Sequence, residues 1–135
     1  MQLETKPNMQ PYHIEGVKHI SPEEAYYAVK NNLAIMVDVR EEYEFETEKI
    51  ALDDILYHPM SVILQRLKHI PNEKFIVVVC KNGERSTKVA NLFNRQGFKD
   101  VANLDGGIET WKKYDLPVTG TTKKGGCSCG CSCGS

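Results

Sequence analysis

Phe75-Ile76-Val77-Val78-Val79-Cys80-Lys81-Asn82-Gly83-Glu84-Arg85-Ser86 is the stretch on which the reading of this chain turns. Its first half is an unbroken apolar run rich in β-branched residues, the pattern of a strand covered on both faces. Its second half changes at once to polar residues around a glycine. From there, residues 86–96 place Val89, Ala90, Leu92 and Phe93 at helical spacing until Gly97 provides a C-cap. Strand, short loop and helix in succession form the repeating unit of an α/β sheet.

The flanks repeat that unit. Upstream, Ala34-Ile35-Met36-Val37-Asp38-Val39 reads as a second buried strand. Before it, Ser21-Pro22-Glu23-Glu24 opens a helix: Ser at the N-cap, Pro at the first helical position and Glu where a capping box needs it. Ala25, Tyr26, Val29 and Leu33 continue an apolar stripe, with the helix ending near Asn32. Val17-Lys18-His19-Ile20 suggests a short strand. Residues 41–50 predict one or two helical turns and then a loop, with strand character returning only at Ile55-Leu56-Tyr57. Residues 61–70 space Val62, Ile63, Leu64, Leu67 and Ile70 as a helix stopped by Pro71. Downstream come a short strand at Val101-Ala102-Asn103-Leu104, a turn at Asp105-Gly106-Gly107, and a helix holding Ile108, Trp111 and Tyr114 that Pro117 closes. The alternation predicts an α/β fold with a mainly parallel sheet and right-handed crossovers.

Three segments are expected: an arm at 1–16, a folded domain at 17–118, and a Gly- and Cys-rich tail at 119–135. The 135 residues suit one domain. Hydrophobic residues at 41% and charged residues at 26% argue against a disordered or fibrous chain. A formal net charge of -1 offers no general attraction to nucleic acid or anionic membrane, and neither is expected as a partner. No apolar run approaches a bilayer span, and the first residues lack the apolar core of a secretory signal, so a cytoplasmic location is expected.

Cysteine placement singles out one residue. Cys127, Cys129, Cys131 and Cys133 crowd into the tail, and only Cys80 lies inside the folded part. That arrangement cannot staple distant segments as a disulfide framework does. Cys80 ends the most apolar strand, at the edge where open parallel sheets collect their reactive groups. The loop after it should aim successive backbone N–H groups into one hollow, with the helix N-terminus adding positive potential. Such surroundings, with Lys81 and Arg85 nearby, favour thiolate over thiol. Gly83 permits the positive φ that the curl requires.

Cys80-Lys81-Asn82-Gly83-Glu84-Arg85-Ser86 resembles the C-x-x-G-x-R-S loop of single-domain rhodanese-like sulfurtransferases. Val37-Asp38-Val39-Arg40-Glu41 is similar to that family's D-V-R-E, and Leu104-Asp105-Gly106-Gly107-Ile108 with Trp111 to its L-x-G-G-x-x-x-W. The resemblance implies a five-stranded parallel sheet flanked by helices and no cofactor. It also implies that Cys80 accepts a sulfane sulfur as a persulfide and passes it to a thiol, to cyanide or to a sulfur-acceptor protein. The donor would be a small anion such as thiosulfate, polysulfide or a low-molecular-weight persulfide. By the same resemblance the amides of Lys81, Asn82, Gly83, Glu84 and Arg85 cradle the donor, and Arg85 frames the pocket. Asp38, Arg40 and Ser86 take supporting roles, Asp38 and Arg40 as a scaffold pair. Related thiolate phosphatases and arsenate reductases use a C-x5-R loop, whereas only four residues separate Cys80 from Arg85. The shorter loop favours sulfur over a tetrahedral oxyanion.

Two regions depart from the pattern. Residues 47–59 lack the family's Gly-His pair and second glycine, retaining Ile50 and Pro59 as matches. Within them His58 reads as a packing or surface histidine before a pocket residue. The tail thiols Cys127, Cys129, Cys131 and Cys133 form C-x-C-x-C-x-C, unlike the C-x2-C knuckles of structural zinc sites. They suit a soft ion such as Cu(I), a sulfur relay from Cys80, or no role at all. A carrier that delivers sulfur or a soft metal with little turnover is the alternative function.

Overall fold

The computed structural model describes residues 2–53 and 55–120. Five parallel strands form one sheet in the order β1-β6-β5-β2-β4, with β1 at Lys18–Ile20, β2 at Ala34–Asp38, β4 at Ile55–Tyr57, β5 at Phe75–Val79 and β6 at Val101–Leu104. Helices α1 (Pro22–Lys30), α4 (Glu84–Arg95) and α5 (Gly107–Lys113) cover it. The expected α/β architecture with a five-stranded parallel sheet is present.

The apolar runs are continuous because each face of the sheet has its own core. Val37 and Val78 face Val89 and Phe93 of α4. Their neighbours Met36 and Val77 face the other way, toward Ala25 and Val29 of α1 and Trp111 of α5. Side chains alternate across a strand, so a strand covered on both sides needs apolar residues at every position. Helix α1 starts as its sequence predicts: Ser21 Oγ accepts the Glu24 N–H at 3.2 Å, and Pro22 occupies the first helical position. It ends at Lys30, and Asn32 takes φ +60° to turn the chain into β2.

Three local expectations need correction. The helix expected over 61–70 is broken into a 3₁₀ turn at Met60–Val62, a short α3 at Ile63–Arg66 and a second 3₁₀ turn at Leu67–His69. Its inward residues are Met60, Ile63, Leu67 and Ile70, spaced three, four and three apart. That three-four-three spacing also falls on one face of a regular α-helix, which is why the sequence reads as one. Leu64, expected inward, is exposed. Helix α4 begins at Glu84, two residues before the expected start.

The third correction concerns residues 41–50. Helix α2 (Glu42–Thr47) is followed not by loop but by strand β3 (Glu48–Ile50), which pairs antiparallel with β7 (Val118–Gly120). This ribbon carries paired structure through Thr119 and Gly120. Residues 2–16 also contact the domain: Glu4 exchanges both backbone hydrogen bonds with His19 at 2.8 Å. Among the described residues, no helix is long and apolar enough to cross a membrane.

Candidate active site

Cys80 follows β5 at the carboxyl edge of the sheet, fully buried and as a free thiol. The loop curls around its sulfur. The Gly83 N–H donates to Sγ at 3.1 Å and the Ser86 N–H at 3.3 Å, while the Ser86 hydroxyl lies 3.2 Å away. Gly83 caps α4 at φ +98°, a conformation costly for other residues. Its carbonyl accepts the Thr87 N–H at 3.1 Å, so the first turn of α4 points its positive end into the loop.

The loop's outer side is held by α5. The Ile108 N–H donates to the Cys80 carbonyl at 2.9 Å, and the Glu109 N–H to the Lys81 carbonyl at 3.1 Å. These two bonds anchor the Cys80–Lys81 backbone on α5, and the loop curls back from there to bring the Gly83 and Ser86 amides to the sulfur. Gly107 makes the approach possible: at φ +66°, any Cβ there would overlap the Lys81 carbonyl. This is the physical content of Gly106-Gly107.

The remaining site residues fall into two ion pairs and an exposed rim. Asp38 and Arg40 form a buried bidentate pair, with Arg40 Nε on Oδ1 at 3.0 Å and Nη2 on Oδ2 at 2.9 Å. Arg40 Nη2 also reaches the Glu48 carbonyl at 2.6 Å, tying β2 to β3. Removing one member of such a pair costs about 3–5 kcal/mol, because the other charge is left buried alone. Arg85 is not a free cation. Its Nη1 and Nη2 grip both oxygens of Glu44 at 2.7 and 2.9 Å. Those hydrogen bonds hold the Glu44 carboxyl down at about 2 and push the Arg85 guanidinium above its ordinary range.

Lys81, Asn82 and Glu84 are exposed on the loop's rim. The Glu84 amide, expected in the cradle, donates instead to Asn82 Oδ1 at 3.1 Å in a local turn. Beside the loop, a cleft of about 270 Å³ runs between α2 and α5, lined by Tyr43, Glu44, Lys81, Ile108 and Lys112 among others. His58 lies away from it, its ring 3.5 Å from the Arg66 guanidinium. The four tail cysteines lie outside the described residues.

Four residues of the site have no signature in the sequence: Gln10, His19, Glu44 and Asn103. Ser86 Oγ donates to Asn103 Oδ1. Asn103 Nδ2 donates to Gln10 Oε1 at 2.9 Å and to His19 Nδ1 at 3.0 Å. His19 Nε2 then meets His13 Nδ1 at 2.8 Å. A buried polar chain therefore runs from the thiol to the arm, through residues whose periodicity marks them only as strand or loop.

Comparison with known proteins agrees with this geometry. Residues 21–114 match the rhodanese-like domain family. The chain is 37% identical over 97 residues to the thiosulfate sulfurtransferase GlpE of Coxiella burnetii, covering 72% of this chain and 89% of that one. It is 30% identical over 131 residues to the tRNA uridine(34) hydroxylase of Bacillus pumilus, covering 94% of this chain but only 40% of that protein. Among solved structures, a rhodanese-related protein from Thermoplasma volcanium superposes with a TM-score of 0.65 at 27% identity, covering 80% of this chain and 98% of that chain. Motif, sheet order and relatives converge: this chain belongs to the rhodanese-like domain family, and its relatives include sulfurtransferases.

Proposed function

We propose that this chain is a sulfurtransferase that loads a sulfane sulfur onto Cys80 and passes it to a thiophilic acceptor. The observation that carries the reading is the loop itself, a fully buried cysteine sulfur facing two backbone amides and the N-terminus of α4. Fixed N–H dipoles of this kind stabilise negative charge on sulfur without reorganising during the reaction. The near-complete coverage of GlpE, against 40% of the hydroxylase, also favours sulfur transfer.

With thiosulfate as donor, the Cys80 thiolate attacks the outer sulfur. A new S–S bond forms, the original S–S bond breaks, and sulfite leaves with its electron pair. The negative charge then rests on the terminal persulfide sulfur. An acceptor thiolate or cyanide attacks that atom and releases Cys80 as thiolate, closing the cycle. A low-molecular-weight persulfide or polysulfide reacts in the same way with a thiolate or shorter polysulfide leaving. A cycle that returns Cys80 to a free thiolate suits a reducing compartment such as the cytoplasm.

One observation favours the carrier reading as second choice. Glu44 neutralises Arg85, which leaves the cradle less attractive to a doubly charged donor. Intact-mass analysis after exposure to thiosulfate or glutathione persulfide tests both. From thiosulfate the wild type should gain sulfur that peptide mapping places first on Cys80 and that cyanide removes, while Cys80→Ser should gain none from thiosulfate and remain folded. Loading that persists in Cys80→Ser would sink the assignment. Stoichiometric loading without repeated turnover would select the carrier.

A further inference from the structure

Gln10 lies outside the segment that matches the family, yet its carboxamide sits beneath the reactive loop. It is 8% exposed, in an arm whose other residues are mostly at the surface. Every hydrogen-bonding position of the amide is used. Nε2 donates to the Tyr12 carbonyl at 2.8 Å, the Thr87 hydroxyl at 3.1 Å and the Gly83 carbonyl at 3.2 Å. Oε1 accepts the Gly106 N–H at 2.8 Å and the Asn103 amide at 2.9 Å. One side chain thus joins the cysteine loop, the glycine turn before α5, and the asparagine that receives the Ser86 hydroxyl.

The arm is built to deliver it. Asp105 accepts the Asn8 N–H at 2.7 Å and the Met9 N–H at 3.0 Å, pinning the backbone directly before Gln10. Gly83 is shaped to receive it, since a Cβ at that position would overlap the Gln10 carboxamide. The glycine therefore answers two demands, its own positive φ and the side chain packed against it.

We infer that Gln10 is a positioning residue for sulfur loading: it sets the aim of the Gly83 and Ser86 donors at the Cys80 sulfur. Gly83 is held on both sides of its Cα. Its N–H points at the sulfur. Its carbonyl, in the next peptide plane, accepts Gln10 Nε2 together with the Thr87 N–H and hydroxyl, so Gln10 helps fix the Gly83 φ and ψ that aim the N–H. The second route passes through Asn103. By holding that amide, Gln10 keeps Asn103 Oδ1 facing the Ser86 hydroxyl, which anchors residue 86 where its N–H meets the sulfur. The inference rests on the proposed Cys80 chemistry, and Gln10 itself touches neither donor nor sulfur.

The test compares Gln10→Met and Gln10→Glu with the wild type by single-turnover loading with thiosulfate, read by intact mass and taken per folded molecule. Met keeps the length and fill of the side chain and removes its polar bonds. Glu keeps the acceptor for Gly106 and Asn103 but cannot donate to the Gly83 carbonyl. The saturating loading rate should fall about tenfold or more in both, the scale of losing a buried hydrogen bond. The thiosulfate concentration for half-maximal rate should change little, because Gln10 does not contact the donor. A purely structural role would lower the melting temperature and leave the rate of the folded fraction unchanged. A wild-type saturating rate in either variant overturns the inference. A wild type that never loads sulfur instead overturns the function on which the inference rests.

Discussion

Arg85 shows how one residue changes meaning once its neighbour is known. Read in the loop it is a cation waiting for an anionic donor; in the fold its guanidinium is engaged on both prongs by Glu44. Arg85→Ala would therefore do two things at once: it removes a cation and strands a carboxylate that is only 16% exposed. Glu44→Gln separates these effects, because it leaves Arg85 in place with its charge uncompensated. Loading from thiosulfate should then speed up by about threefold at low ionic strength and lose that gain in high salt, as screening requires. Unchanged rates at low salt would mean that the pair acts only as a brace between α2 and α4. The partnership could not be read beforehand, since the two residues lie 41 positions apart and Glu44 looks like one more surface charge in an acidic segment.

At the scale of elements, the joint between the arm, β1 and β6 makes stability depend on pH. His19 on β1 is completely buried between Asn103 of β6 and His13 of the arm. Burial first, and then the His13 ring, lowers it from 6.5 to about 4. Between those values the unfolded chain binds a proton that the folded protein refuses, so folding is weakened as pH falls through that window and the loss levels off near 4. By pH 5 the joint should have lost about 2 kcal/mol relative to neutral pH. His58, lowered in the same direction, adds to the trend. Urea denaturation at pH 7 and pH 5 measures the fall, and His19→Gln should flatten most of it; an equally steep fall in that variant would assign the effect elsewhere. Elements with strong local signals were legible in advance: β2, β5, the capped start of α1 and the Cys80 loop. The β3–β7 ribbon was not, because two three-residue strands far apart in the chain carry no periodicity of their own. Gln10 escaped for the same reason, being placed by backbone bonds to Asp105.

Across the whole molecule, the parallel sheet draws its contributors to one edge. The arm brings Gln10, β2 brings Asp38, β5 brings Cys80 and β6 brings Asn103, although more than ninety positions separate Gln10 from Asn103. The β3–β7 ribbon continues this convergence, since Gly120 pairs with Glu48 and Glu48 lines the cleft together with Lys81. The chain thus leaves its last described strand beside the candidate active site. Cys127 lies seven residues beyond Gly120, and seven residues of extended chain reach at most about 25 Å. We propose on this basis that a tail thiolate is a kinetically privileged acceptor. It would attack the terminal sulfur of the Cys80 persulfide, take that sulfur as its own persulfide, and release Cys80 as thiolate. Truncation after Gly120 keeps the ribbon and removes all four tail thiols, so loading should be unchanged. Discharge without external thiol should slow by at least about tenfold, because an intramolecular acceptor acts at an effective concentration in the millimolar range. Mass mapping of the full-length protein should show sulfur leaving Cys80 for the peptide containing Cys127 and Cys129. Equal discharge rates in the two proteins would exclude the relay and leave the tail a metal-binding or inert role.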